Sequence, residues 1–126
     1  MGKCILVVDD NDFNRELVID ILEDEDITVY EADSGEAAIE IMKSDKADDI
    51  DAILMDMRMP VMDGASATGH IRALGGRCEK LPIIAMTANT YESDASILTD
   101  AGMNGLITKP IDVDTLTQQI AKLAGW

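Results

Sequence analysis

The sequence predicts an α/β fold in which helices cover both faces of a parallel β-sheet. A short apolar run followed by a stretch with helical spacing occurs five times along the 126 residues. The runs are nearly continuous in apolar residues, which is typical of central parallel strands buried on both faces. Because right-handed helical crossovers return each strand to the same direction, the alternation indicates one parallel sheet and one domain over residues 1–126.

The five apolar runs are the predicted strands. They cover residues 4–8, 27–30, 50–55, 81–86 and 106–107. The polar and acidic segment 44–51, which precedes the third strand, is expected to be a solvated loop.

The stretches that follow the apolar runs have the spacing of amphipathic helices. In the first stretch Phe13, Leu17 and Ile21 lie four residues apart, and in the second Ala38 and Met42 do the same. Such spacing predicts one buried stripe on each helix. The last stretch repeats the pattern at steps of three and four, with Val113, Leu116, Ile120 and Leu123.

Helix starts are indicated by side chains that accept a hydrogen bond from the first helical turn. The residues of this kind are Asp12, Ser34, Asp63 and Asp112. Each stands just before a stretch with helical spacing, so four helices are expected to begin there.

The composition and net charge of the chain argue against several classes of function. Twenty-five acids against ten bases give a formal charge of -15, which argues against binding nucleic acid or an anionic membrane. Cys4 and Cys78 belong to no CxxC or Cys/His cluster, so neither a zinc site nor a disulfide framework is expected. No apolar stretch is long enough to span a membrane, and the N-terminus lacks the features of a signal peptide. We therefore expect a cytoplasmic protein.

Acids stand at the ends of predicted strands, where the ligand site of an open parallel sheet lies. Asp9 and Asp10 follow the first strand, and Asp56 ends the third. Thr87 ends the fourth strand, and Lys109 follows the fifth. Three carboxylates, a hydroxyl and an ammonium are therefore expected to meet at one edge of the sheet.

This combination of groups predicts a magnesium site that handles a phosphoryl group. Crowded carboxylates repel one another unless a cation is present, and a small set of oxygen ligands suits Mg2+. A metal, a lysine and a hydroxyl together neutralise and orient a phosphoryl group. A central carboxylate can itself accept that group as an aspartyl phosphate, and Asp56 is the candidate.

Four motifs in order resemble one known family. They are VVDDN at 7–11, LMDMRMPVMDG at 54–64, MTAN at 86–89 and AGMNGLITKP at 101–110. With this spacing the chain resembles the receiver (response-regulator) domain of two-component phosphorelay systems, in particular those of hybrid sensor histidine kinases. The resemblance covers nearly the whole chain and implies a flavodoxin-like (βα)5 fold with strand order 2-1-3-4-5.

The resemblance also implies a role for each site residue. Asp10, Asp56 and the backbone carbonyl of Arg58 would bind Mg2+ directly, and Asp9 would act through metal-bound water. Asp56 would be the phosphoacceptor. Thr87, Lys109 and the Met57 N–H would contact the phosphoryl oxygens.

One position departs from the family pattern. The family often has Tyr or Phe three residues before the lysine, where this chain has Leu106. An aromatic ring that rotates inward on phosphorylation is therefore not expected.

The implied function is a signalling switch rather than an enzyme. The phosphoryl group would come from a sensor histidine kinase or a histidine phosphotransfer domain, and the change would reach a surface formed by the fourth helix, fifth strand and fifth helix. That surface would also serve a dimer. No direct contact with nucleic acid or membrane is expected, although the domain could be the cytosolic part of a larger membrane sensor kinase.

An alternative function is that of a small aspartyl-phosphate phosphatase of the haloacid-dehalogenase type. Asp10 and Asp12 have the spacing of its two acids, and Lys109 would be its lysine. Asn14 stands where that signature continues with Thr or Val, which disfavours this alternative.

Overall fold

The computed structural model of the chain describes residues 3–87, 100–108 and 111–125. Within these ranges five strands form one parallel sheet in the order β2-β1-β3-β4-β5. The strands are β1 (Lys3–Val8), β2 (Ile27–Ala32), β3 (Ala52–Asp56), β4 (Ile83–Thr87) and β5 (Gly105–Thr108). The predicted α/β fold and its strand order are confirmed.

Four α-helices and two short 3-10 helices lie wholly within the described residues. The α-helices are α1 (Asp12–Asp24), α2 (Gly35–Met42), α3 (Gly64–Ala73) and α4 (Val113–Ala124). The 3-10 helices are Asp45–Asp49 and Gly76–Glu79. Segment 44–51 is therefore more ordered than the predicted loop, because the Ser44 side chain accepts a hydrogen bond from Lys46 N and begins a turn there. The helix predicted after β4 falls largely on residues 88–99, outside the described ranges.

The helices lie on both faces of the sheet. Val18 and Leu22 of α1 and Leu116 and Ile120 of α4 pack on one face, where strand residues such as Leu54 are also buried. Ala38 and Met42 of α2 and Ala67 and Ile71 of α3 pack on the other. No helix within residues 3–87, 100–108 and 111–125 is long and apolar enough to cross a membrane.

The buried stripe of α1 differs from the predicted one. Phe13 is 75% exposed and Leu17 40% exposed, whereas Val18 and Leu22 are buried beside Ile21. Steps of four drift by about 40° around a helix, so Phe13 and Ile21 do not share one narrow stripe. Val113, at the first residue of α4, is also half exposed. The prediction was wrong for these three apolar side chains.

Three of the four predicted helix caps are confirmed. Ser34, Asp63 and Asp112 each accept a hydrogen bond from the backbone N–H three residues later. In α1 the cap is Asn11 instead of Asp12, and its side chain accepts from Asn14 N at 2.9 Å. Asp12 is the first residue of the helix itself, and its carboxylate forms an ion pair with Arg15.

Both cysteines are free and buried. Burial raises the pKa of the Cys4 thiol to about 11, and the nearby carboxylates of Asp51 and Asp49 act in the same direction. Burial also raises the pKa of the Cys78 thiol. Burial and a raised pKa both disfavour the thiolate, which is the reactive form of a cysteine.

Arg72 of α3 holds the amino-terminal edge of the sheet together. Its guanidinium donates to the carbonyl oxygens of Cys78 and Leu81 at 2.9 and 2.6 Å. It also donates to the Gly102 carbonyl at 3.0 and 2.7 Å and to Asn104 Oδ1 at 2.9 Å. One side chain therefore ties α3 to the segments that lead into β4 and β5.

Arg72→Ala is expected to lower the free energy of unfolding by about 2–4 kcal/mol, because it leaves several partly buried carbonyl groups without their donor. Urea unfolding followed by circular dichroism measures the change. Lys80→Ala, at an exposed position on the same edge, is the matched control and should change stability by less than about 0.5 kcal/mol. Equal stabilities of the two variants would contradict the structural role of Arg72.

Candidate functional site

Three carboxylates meet at the carboxyl ends of β1 and β3. Asp9 and Asp10 follow β1 directly, and Asp56 is the last residue of β3. The two strands are paired neighbours, with Val8 opposite Met55. As a result, one oxygen from each carboxylate lies within 4.8 Å of the others. The predicted meeting of these three acids is observed.

Asp56 is the last residue of β3, a strand whose five residues are all buried, and Asp56 itself is only 4% exposed. The Arg58 N–H donates to Asp56 Oδ1 at 3.2 Å. The Met57 N–H is expected to contact a phosphoryl group. In this structure it donates to the Met86 carbonyl at 3.0 Å, because the pairing of strands β3 and β4 continues one residue beyond β3. The carboxylate therefore lies at a strand end whose backbone is hydrogen-bonded on to β4.

The loop after β3 closes back onto this strand end. Gly64 N donates to the Met57 carbonyl at 3.1 Å, so the first residue of α3 touches the backbone beside Asp56. Val61, within the loop, has a positive φ of 71° and is 95% exposed. The loop therefore presents an apolar side chain to solvent a few residues from the carboxylate.

Asp9 is completely buried and held from several sides. Its N–H donates to the Ala32 carbonyl of β2 at 3.1 Å. Its Oδ1 accepts from Asn11 N at 2.9 Å, and its carbonyl oxygen accepts from Arg15 Nη1 at 2.7 Å. Asp10, in contrast, is exposed, so the rim combines two buried carboxylates with one that solvent reaches.

These residues line a cavity of about 250 Å³ that is open to solvent. Its lining residues are Asp9, Asp10, Asn11, Asn14, Asp56, Arg58 and Thr87. Thr87 is the last residue of β4, is 2% exposed and lines this cavity, so the residue lies at the rim as predicted. Sequence reasoning missed Asn11 and Asn14 as lining residues; their three-residue spacing at the start of α1 is the signal that places both on one side of the helix.

The remaining predicted site residue, Lys109, lies outside the described residues together with Pro110. β5 ends at Thr108, immediately before it, and its role stays a prediction. Leu106, at the position where the family often has an aromatic residue, is partly buried against the core on the α2 and α3 face.

The donor set of the rim fits a hard divalent cation. Three carboxylates at this separation repel one another, and burial of two of them increases the cost of their charge. Oxygen ligands that leave room for water match the coordination of Mg2+. The cluster can therefore hold a metal ion.

Comparison with known proteins decides the family. The profile of the response regulator receiver domain matches residues 5–121. The chain belongs to this family. The assignment agrees with the sheet order and with the acids at the rim, and it gives no support to the phosphatase alternative.

A bacterial sensor protein is similar to this chain in sequence. The chain is 37% identical over 123 residues to the sensor protein GacS of Pseudomonas syringae pv. syringae. The matched region covers 96% of this receiver domain and 13% of GacS, so the chain spans about an eighth of that relative's length.

Solved receiver structures are similar in fold. The receiver domain of the sensor histidine kinase PA1611 from Pseudomonas aeruginosa matches with a TM-score of 0.87 and 35% identity over 100% of both chains. That structure has a magnesium ion coordinated in its active site cleft. A chain in the co-crystal structure of the Saccharomyces cerevisiae histidine phosphotransfer protein Ypd1 and the receiver domain of Ssk1 matches with a TM-score of 0.86 and 25% identity, over 98% of this receiver domain and 90% of that chain.

Proposed function

We propose that this receiver domain is a signalling switch that accepts a phosphoryl group on Asp56 from a phosphohistidine of a partner protein. The observation that carries the proposal is the position of Asp56, a nearly buried carboxylate at a strand end within 4.8 Å of two further acids. A carboxylate so placed is a competent acceptor once the surrounding negative charge is balanced.

The acids of the rim would provide the metal site. Asp10, Asp56 and the Arg58 carbonyl would bind Mg2+, with Asp9 acting through a metal-bound water. When bound, Mg2+ supplies positive charge that offsets the repulsion between the carboxylates and the incoming phosphoryl group. The magnesium ion in the similar PA1611 receiver domain supports this choice of metal.

The chain's own residues would then carry the transfer. An Asp56 carboxylate oxygen attacks phosphorus in line, the bond from phosphorus to the histidine nitrogen breaks, and the imidazole leaves with that electron pair. The Thr87 hydroxyl and the Lys109 ammonium donate hydrogen bonds to the phosphoryl oxygens. Asn11 and Asn14 line the same cavity.

Exposed apolar side chains near the rim suit a protein donor. Phe13 lies in the first turn of α1, three residues after Asp10, and Leu17 lies one turn further on. With Val61 of the loop after β3, they expose apolar surface that a docked partner would cover. We assign this surface to a histidine phosphotransfer domain or the equivalent part of a kinase. The Ypd1 and Ssk1 co-crystal supports a partner of this kind.

The setting of the domain follows from the same proposal. The whole chain would act as one receiver module in the cytoplasm, as the cytosolic part of a sensor kinase. It would assist its own phosphorylation and dephosphorylation without turning over another substrate.

Output would pass through the fourth predicted helix, β5 and α4, which would also form a dimer interface. The charge of -15 favours a basic or apolar protein partner over nucleic acid.

A chemical phosphorylation experiment tests the proposal. Incubated with Mg2+ and a small acyl phosphate donor, the protein is expected to gain one phosphoryl group, measured as intact mass. Chelation of the metal by EDTA should abolish the gain, because the carboxylates would then repel the donor. An unchanged mass in Mg2+, or the same gain with EDTA, would overturn the proposal.

A further inference from the structure

Arg15 of α1 links three elements around the rim, although the proposed transfer does not use it. Its Nη1 donates to the Asp9 carbonyl at 2.7 Å, and its Nε donates to Glu31 Oε1 of β2 at 2.9 Å. Its Nη2 pairs with Asp12 Oδ1. The side chain is only 12% exposed, whereas its two acidic partners are largely in solvent. The guanidinium is therefore enclosed while its partners hold it from outside.

The segment that Arg15 holds is the one that carries two of the three rim acids. Asp9 and Asp10 lie between the end of β1 and the cap of α1, and the Arg15 N–H closes the first turn by donating to the Asn11 carbonyl at 3.0 Å. The side chain then returns to the Asp9 carbonyl and extends to β2. β2 is paired with β1. Arg15 therefore connects the segment of Asp9 and Asp10 both to α1 and to the sheet.

We propose that Arg15 is a positioning residue for the metal site, and that it acts by fixing the backbone from which Asp9 and Asp10 project. The proposal rests on the proposed function, since it concerns the Mg2+ site of the same rim. A planar guanidinium with several donors in fixed directions suits this task, because it holds a carbonyl and two carboxylates at once. A lysine ammonium at this position would keep the positive charge, but it could not donate hydrogen bonds in the same fixed directions.

Charge alone predicts the opposite effect on metal binding. Arg15 places a positive group beside an acidic cluster, where it repels a divalent cation. If that were its main influence, its removal would strengthen Mg2+ binding and replacement by lysine would leave binding unchanged. If positioning dominates, both replacements weaken binding. The sign of the change therefore separates the two explanations.

Isothermal titration of Mg2+ into the unphosphorylated protein tests the proposal. Arg15→Met and Arg15→Lys are both expected to raise the Mg2+ dissociation constant by about tenfold, the usual cost of losing a residue that orients metal ligands. Phosphorylation by a small acyl phosphate should return close to the wild-type rate at saturating Mg2+, because the acceptor itself is unchanged. Circular dichroism checks that both variants remain folded.

Lys43→Met is the matched control. It also removes one positive charge, but from an exposed ion pair with Glu40 at 3.7 Å, just beyond the end of α2. Its Mg2+ affinity should stay within about twofold of wild type, since exposed charges far apart are screened by salt. Arg15 variants that bind Mg2+ as well as or better than wild type would overturn the positioning role and leave the proposed function intact. A wild-type protein that does not bind Mg2+ would overturn both.

Discussion

Asp56→Asn is expected to gain no phosphoryl group under conditions in which the wild-type protein gains one. The amide has nearly the shape of the carboxylate, so the hydrogen bond from the Arg58 N–H to the retained side-chain oxygen can persist. What is lost is the anionic oxygen that attacks phosphorus. The fold should survive, because removing one charge from a crowded acidic cluster relieves repulsion. Intact mass after incubation with Mg2+ and a small acyl phosphate measures the outcome.

Asp12→Asn is the matched control and also tests the phosphatase alternative. Asp12 lies two residues after Asp10, but its side chain is 80% exposed and is paired with Arg15 at the start of α1. In a receiver domain this variant should still accept one phosphoryl group. In an enzyme of the haloacid-dehalogenase type Asp12 would be essential and its loss would abolish turnover. A full phosphoryl gain by Asp56→Asn, or none by Asp12→Asn, would contradict the assignment of the acceptor.

The parts of the site that could be predicted are those that depend on strand ends. An apolar run that ends on an acid places that acid at the carboxyl edge of a parallel sheet. This placement does not depend on how each helix is rotated against the sheet. Asp9, Asp10, Asp56 and Thr87 all lie at such strand ends and line one cavity. The sheet order followed from the resemblance to receiver domains, and the observed pairing confirms it.

Features set by helix rotation or by long side chains could not be predicted in the same way. Two overlapping apolar stripes are possible on α1, and packing against the sheet selects the one with Val18 and Leu22. Phe13 is exposed as a result. The contacts of Arg15 join residues 16 positions apart, because β2 returns beside β1, and no local pattern encodes such a link.

Gly64→Ala is expected to destabilise the protein and to slow its phosphorylation. A Cβ at this position would lie 2.3 Å from the Asp56 carbonyl oxygen and 3.0 Å from the Met57 Cα. Both are backbone atoms, so the clash cannot be relieved by rotating a side chain. We expect a loss of about 1–3 kcal/mol in the free energy of unfolding, which is the usual cost of overpacking.

The same displacement should reach the acceptor itself. The methyl group would push on the peptide unit that positions Asp56, and a shift of about 1 Å at a reacting group can cost about 100-fold in rate. The phosphorylation rate of Gly64→Ala, measured at low temperature where the variant is still folded, should therefore fall by about 10- to 100-fold. A variant that is destabilised but phosphorylated at the wild-type rate would show that the Asp56 carboxylate tolerates movement of its backbone.

Gly69→Ala provides the comparison within the same helix. A Cβ at Gly69 would meet no atom within 4 Å, so the substitution adds helix propensity without a clash. It should stabilise the protein by about 0.5–1 kcal/mol and leave the phosphorylation rate unchanged. Because both variants make the same chemical change in α3, opposite signs in stability would isolate the contact between Gly64 and the Asp56 backbone as the cause. Equal effects would mean that α3 can move away from the strand end, and that the close approach at Gly64 does not position the acceptor.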